Sequence, residues 1–251
     1  MNYLRKNDDV YLKMSKDAIK RIVNKDIKEI YKMNLSELGI HIQFNEDNML
    51  QAVAIIIGPK DTPYENGILY FVIGFPTDYP FSPPKVNYLS HSKYRIHPNL
   101  YRGRSSDNYL GKVCLSSINT WSGPKWTSVM HIGSILLSIQ SLLCKNPLHN
   151  EPGFENEKGE RNKFYNVIVE HDNYNHLIKV NGFDIHPLFK GFNEIIKDHL
   201  IKEKENILNN LDRLCKLHKK PAKITLNIYN ISMIINYQLL KEELNDKLNS
   251  L

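Results

Sequence analysis

Apolar positions in this chain change period several times, and each change marks an element. Ile19, Ile22, Val23, Ile27, Ile30 and Tyr31 recur at steps of three and four, which predicts an amphipathic helix over residues 15–33 with Ser15 as its N-cap. Residues 40–44 then alternate, 45–48 read as a turn, and 49–57 form a second strand-like run. Gly58-Pro59 ends it, and after a loop with Pro63 and Gly67 a third run covers 68–75. Residues 86–89 make a fourth, and the short connections predict an antiparallel meander. Pro76, Pro80, Pro83 and Pro84 impose an extended path between the third and fourth runs.

Helical spacing returns at Val129, Ile132, Ile135, Leu136, Ile139, Leu142 and Leu143, with Thr127 or Ser128 as the cap and Pro147 as the stop. Residues 164–178 read as a further helix, and Val180-Asn181-Gly182 as a boundary. A long helix follows through Phe192, Ile196, Leu200, Leu211 and Leu214, and Pro221 interrupts it. Ile224, Leu226 and Ile228 alternate briefly before a helical pattern over 232–249. The fold class predicted is α+β: an N-terminal helix, a four-stranded antiparallel meander and C-terminal helices. Its parts are a polar tail (1–14), a core (15–180) and a mostly helical extension (181–251).

Composition narrows the class. At 41% hydrophobic and 24% charged residues, the chain has the make-up of a folded globular protein. Its longest apolar run, 52–57, is too short to span a bilayer, and the N-terminus carries no apolar segment of the secretory kind. The formal charge of +6 is spread without a basic block, which fits modest attraction to acidic partners better than nucleic-acid binding. Cys114, Cys144 and Cys215 are odd in number and scattered, against a disulfide framework or a metal site. A reducing compartment, cytoplasmic or nuclear, is the expectation.

Candidate chemistry gathers between residues 91 and 126. His97-Pro98-Asn99 makes a tight turn, and Gly111-Lys112-Val113-Cys114-Leu115 follows it. A lone cysteine is a natural nucleophile for carrying an acyl group as a thioester, and otherwise a small buried hydrophobe. The Asn99 amide is a neutral donor for an oxyanion or a pin for its loop, and otherwise a turn residue. A Cys114–His97 hydrolase pair is a third arrangement. Trp121 and Trp126 are expected to pack around this loop, and Cys144 and Cys215 to be buried and inert. No glycine-rich phosphate loop is present, so ATP chemistry and organic cofactors are not expected of this chain.

Several motifs stand in a recognisable order: Gly58-Pro59 to Pro63-Tyr64, Tyr79-Pro80-Phe81 to Pro83-Pro84-Lys85, His97-Pro98-Asn99, and Cys114-Leu115. Over about residues 15–180 the chain resembles the ubiquitin-conjugating (E2) enzymes. The segments Cys114-Leu115-Ser116, Thr120 to Trp126 and Asn146 to Glu155 look like the E2 Z branch of that family, which also carries a C-terminal extension. The resemblance implies that Cys114 accepts ubiquitin or a ubiquitin-like protein from an activating (E1) enzyme, which is the partner that uses ATP. Cys114 would then pass the acyl group to a lysine of a substrate protein, usually with a RING-type or other E3 ligase. It implies an oxyanion or loop-support role for Asn99 and a structural role for His97 and Pro98. The usual acidic gate near the cysteine is not plain here: His149 is the first choice, with Asn150 and Glu151 as alternatives. Lys20, Arg21 and the aromatic Phe81 match partner-contact positions. Residues 103–110 look inserted between Asn99 and Cys114, as a determinant of acceptor choice or as a plain surface loop. A non-catalytic E2-like binding module is the alternative reading.

Overall fold

The N-terminal helix is kept in phase by local unwinding. α1 (Asn2–Arg21) passes through a π-helical turn (Ile22–Asp26) into α2 (Ile27–Lys32). The computed structural model describes residues 2–103 and 110–251, with side chains of α1 from Leu12 onward. Ala18, Ile22 and Asp26 are four apart, and all are fully buried. A spacing of four drifts by about 40° per step in a regular α-helix, and the wider π turn absorbs that drift. Helix begins well before Ser15, so residues 2–14 are its polar first turns and not a separate tail. Neither Gly nor Pro stands among them to stop it.

β1 (Ile40–Phe44), β2 (Gln51–Ile57), β3 (Ile68–Gly74), β4 (Lys85–Leu89) and β5 (Leu110–Lys112) pair antiparallel in chain order. The expected four-strand meander thus gains a fifth, three-residue edge strand. Its centre explains why pattern reading passes over it. A Cβ on Gly111 would lie 1.5 Å from the Tyr101 carbonyl oxygen, so only glycine lets the two backbones approach this closely.

α3 (Ile132–Leu142) starts later than the apolar spacing predicts, and Val129 is exposed. Arg21 Nη2 donates to the carbonyls of Ser128 and Met130, which holds that stretch out of the helix. The cap is His131, whose ring accepts from Ser134 N. α4 (Glu160–Asp172), a second π turn (Asn173–Ile178) and α5 (Lys179–Phe183) make a continuous rod across the expected boundary at residue 180. α6 (Asn193–Leu217) follows, then β6 (Ala222–Leu226), β7 (Ile231–Ile235) and α7 (Tyr237–Asn249). Residues 232–235 of this strand are therefore extended where helix was expected. Their alternating burial is the period-2 signature, and pairing with β6 satisfies their backbone.

The C-terminal part lies against the sheet. The Tyr70 ring on β3 stacks on Phe189 at 4.1 Å, and the Tyr70 hydroxyl donates to Asn181 O. Asn181 Nδ2 in turn donates to Ile68 O at 2.6 Å. Phe71, Ile178, Phe189, Leu211 and Tyr237 belong to a single apolar cluster that runs through both parts of the chain. Among the described residues no helix is long and apolar enough to cross a membrane.

Polar contacts converge on Asp26, whose exposure is 0%. Its carboxylate accepts from Arg21 Nη1 at 2.9 Å, from the Tyr79 hydroxyl at 2.5 Å and from Ile132 N at 2.9 Å. Burial, with the carboxylate beside it, pushes the Tyr79 hydroxyl well above its ordinary pKa, so it stays the donor. One buried charge thus ties α1, the proline-rich turn and the start of α3. Asp26→Ala leaves the Arg21 charge and the Ile132 N–H without that partner. We expect a loss of about 3–5 kcal/mol in urea unfolding, against less than about 1 kcal/mol for Asp17→Ala on the exposed face of α1. Equal losses for the two variants would contradict the role given to Asp26.

Candidate active site

β5 delivers the chain to Val113 and Cys114, and an antiparallel bridge between Leu100 and Val113 lays the His-Pro-Asn turn alongside. Asn99 and Cys114 then bond reciprocally: Cys114 N donates to Asn99 O at 2.8 Å, and Asn99 Nδ2 donates to Cys114 O at 2.8 Å. The side-chain amide therefore pins the backbone of the residue that carries the thiol. Cys114 itself is only 3% exposed.

His97 is fully buried and bonded at both ring nitrogens. Asn99 N donates to Nδ1 at 2.9 Å, and Nε2 donates to Leu142 O at 2.9 Å. These partners fix the neutral tautomer with its proton on Nε2. Burial lowers the His97 pKa to about 4, so the ring is uncharged near neutrality. With both ring nitrogens in use, His97 is not free to act as the base of a Cys–His hydrolase pair.

Thr120 braces the other side of the cysteine. Its Oγ1 accepts from Leu115 N at 2.8 Å, with Val113 O at 2.8 Å and Leu115 O at 3.0 Å as alternative acceptors for its proton. Asn119, in the left-handed conformation at φ 60°, accepts from Trp126 N through its side chain. Trp126 Nε1 donates to Pro80 O at 2.7 Å. The cysteine loop and the proline-rich turn thus share a buried tryptophan. Trp121 departs from expectation and is 42% exposed.

Phe81 caps that turn at 82% exposure, a rigidly presented aromatic. Lys20 is exposed on the last turn of α1. Arg21, matched to a partner-contact position, instead spends its guanidinium on Asp26 and on the Ser128 and Met130 carbonyls. The three gate candidates separate. His149 Nε2 donates to Glu157 O at 2.8 Å, and Asn150 Nδ2 donates to Pro147 O at 3.2 Å. Glu151 accepts from the Tyr229 hydroxyl and lies 3.8 Å from Arg95, which bonds to Pro98 O. Of these three residues, Glu151 is the one whose described contacts lead into the His-Pro-Asn loop.

Cys144 and Cys215 are half-buried rather than fully buried, and burial pushes the Cys215 thiol up, away from the reactive thiolate. Residues 104–109 of the inserted segment lie outside the described residues. Among the described residues no group of three or more His, Cys, Asp or Glu side chains is arranged to hold a metal. Thr120, Arg95, Tyr101 and Asp26 escaped the sequence reading as site residues. Their partners are distant in the chain, and no local spacing marks them.

Comparison with known proteins points to one family. The family described as ubiquitin-conjugating enzyme matches residues 22–171. The chain is 42% identical over 163 residues to ubiquitin-conjugating enzyme E2 Z of Danio rerio, covering 64% of this chain and 47% of that one. It is 42% identical over 153 residues to the Homo sapiens protein of the same name, covering 60% and 41%. Probable ubiquitin-conjugating enzyme protein 17 of Caenorhabditis elegans is 36% identical over 216 residues, covering 81% of this chain and 28% of that one. That last match is long enough to run past residue 171 into the C-terminal part. The chain spans less than half the length of each of these relatives.

The histidines predict a pH dependence. Burial lowers both His97 and His171 to about 4 from an ordinary 6.5. Between those values the unfolded chain binds protons that the folded one refuses, so stability falls as pH drops through this window. Each histidine contributes up to about 1.4 kcal/mol per pH unit there. Urea midpoints should hold between about pH 8 and about pH 7 and then decline steadily toward about pH 5. A flat profile down to about pH 5 would contradict neutral, buried imidazoles.

Proposed function

The chain belongs to the ubiquitin-conjugating enzyme family, and on that premise we propose that Cys114 accepts ubiquitin or a ubiquitin-like protein from an activating enzyme and passes it to a substrate lysine. The Cys114 thiolate attacks the donor thioester carbonyl; the new C–S bond forms as the donor's C–S bond breaks, and the donor leaves as thiolate. A lysine amine then attacks the Cys114 thioester. The isopeptide C–N bond forms as the Cys114 C–S bond breaks, Cys114 leaves as thiolate, and the proton lost by the amine passes to water. Thioester exchange is nearly isoenergetic, so no metal or organic cofactor is called for, and ATP is consumed by the activating enzyme.

The reciprocal bond between Asn99 and Cys114 carries this reading. One Asn99 N–H holds Cys114 O, and the second is the proposed donor to the tetrahedral oxyanion. Such a donor is worth about 3–4 kcal/mol of barrier. Phe81 is the proposed anchor for a ligase groove, because an exposed, rigidly held aromatic loses little entropy on docking. Lys20 is a weaker contact on the same molecule. Three free thiols suit a reducing compartment, cytoplasmic or nuclear. A specific observation favours a second reading, the non-catalytic binding module: Cys114 is almost covered.

Incubation with activating enzyme, ATP and ubiquitin or a ubiquitin-like protein separates the two. We expect a thiol-sensitive adduct that becomes thiol-resistant in Cys114→Ser; no adduct with any modifier would leave only the binding module. Asn99→Ala should still charge but discharge to lysine several hundredfold more slowly, and equal discharge would remove the oxyanion role. Phe81→Ala should charge normally and lose ligase stimulation, and retained stimulation would remove the docking role.

A further inference from the structure

The turn between β6 and β7 reaches the His-Pro-Asn loop through one arginine. Arg95 stands two residues before His97, its guanidinium 3.7 Å from the ring centroid of Tyr101 and 4.4 Å from that of Tyr229. Tyr101 belongs to the catalytic side, since its N–H donates to Lys112 O on β5. Tyr229 belongs to the C-terminal extension. Held between the two rings, Arg95 donates from Nη2 to Pro98 O inside the turn that presents Asn99. The Tyr229 hydroxyl donates to Glu151 Oε2, and Arg95 Nη2 lies 3.8 Å from the same oxygen. Burial, then the bond to Glu151, pushes the Tyr229 hydroxyl well up, so it remains a donor throughout the physiological range. The Tyr165 ring lies 5.9 Å from that of Tyr229, and its hydroxyl donates to Arg95 O at 2.9 Å. A second contact follows one residue away, where the Tyr94 hydroxyl donates to Ser232 O at 2.8 Å.

Backbone conformation sets Tyr229 apart. It sits at φ 61°, ψ 10°, and Asn230 follows at φ 50°. Asparagine tolerates the left-handed region, whereas a bulky aromatic is seldom found there and is held only by its surroundings. What that conformation gains is a ring on Arg95 and a hydroxyl on Glu151.

We infer that Tyr229 is a positioning residue for acyl transfer: through the ring it lays on Arg95 it fixes Pro98 O, and so sets Asn99 against Cys114. The C-terminal extension is then part of the active-site scaffold. This inference rests on reading Cys114 as the thioester carrier. Removing the ring frees Arg95 to swing away from Pro98 O, and the turn bearing Asn99 loosens. The step that suffers is discharge to lysine, where the Asn99 amide has to meet the oxyanion.

Four single variants, the Tyr229→Ala/Arg95→Lys double variant and two readouts test it. Tyr229→Ala removes ring and hydroxyl, Tyr229→Phe keeps the ring, Arg95→Lys keeps the charge but loses the planar stack, and Ile234→Ala alters an exposed position on the same hairpin. Amide hydrogen exchange at Asn99 and Leu100 reports the loop, and single-turnover discharge of the charged protein to lysine reports the chemistry. Tyr229→Ala and Arg95→Lys should each speed exchange about tenfold and slow discharge about tenfold. The double variant should be no worse than either single one. Tyr229→Phe should recover most of both effects, and Ile234→Ala should match the wild type. Unchanged exchange in Tyr229→Ala overturns the inference, as does a discharge loss that Tyr229→Phe fails to rescue. Should the wild-type chain never charge, the transfer reading falls, and the exchange measurement still decides whether Tyr229 holds the loop.

Discussion

α3 hangs between two buried polar groups, and the working surface of the molecule depends on that suspension. At its start the Asp26 carboxylate accepts from Ile132 N, one of the amides that a helix leaves unpaired at its positive end. At its finish His97 Nε2 donates to Leu142 O, a carbonyl of the last turn. Eleven residues separate the two groups, about 16 Å of rigid backbone. Asp26 also grips Tyr79 beneath the turn that presents Phe81, and His97 is the hinge pin of the turn that presents Asn99. The helix is therefore a strut that sets the distance between an exposed aromatic and a guarded thiol.

Burial has opposite uses at the strut's two ends. Asp26 keeps its bonds by answering a guanidinium, a phenol and an amide at once, so the interior holds a charge without leaving it uncompensated. His97 is kept uncharged, because a proton on Nδ1 would face the Asn99 N–H that now donates to it. A neutral ring in a dry setting keeps one hydrogen-bond pattern, and that constancy defines the turn. Cys114 draws on both ends, through Asn99 on one side and through Thr120, Asn119 and Trp126 on the other.

Much of the architecture was legible because burial imposes a period. The alternation at 40–44 and the apolar run at 68–75 follow from a sheet covered on its faces, and α3 from one buried stripe. The pairing of Asn99 with Cys114 was legible through motif order. What stayed hidden depends on contacts far apart in the chain. β5 is three residues built around a glycine whose need is set by Tyr101. β7 is strand because β6 lies beside it, and its Ile-Ser-Met-Ile-Ile alternation was there to be read. Arg21 carries an ordinary surface charge in the sequence, and its inward turn follows from Asp26 five positions on. Glu151 and Tyr229 meet at Arg95 only after the extension has folded back.

The two π turns bear on how this chain can vary in length. Each widens its helix locally, and the residues on either side are aligned only because of that widening. Losing one residue from Ile22–Asp26 would restore an ordinary helix and leave α1 and α2 close to their present phase, because the π turn holds about one residue more than a regular turn needs. Losing one residue between Ala18 and Ile22 finds no such slack and would turn Ala18 by about 100°, out of the core. The turn at Asn173–Ile178 gives the same slack to the rod that carries Asn181 to the edge of β3. A change of a single residue in length is thus absorbed at the two π turns, and elsewhere along these rods it rotates everything on one side of it.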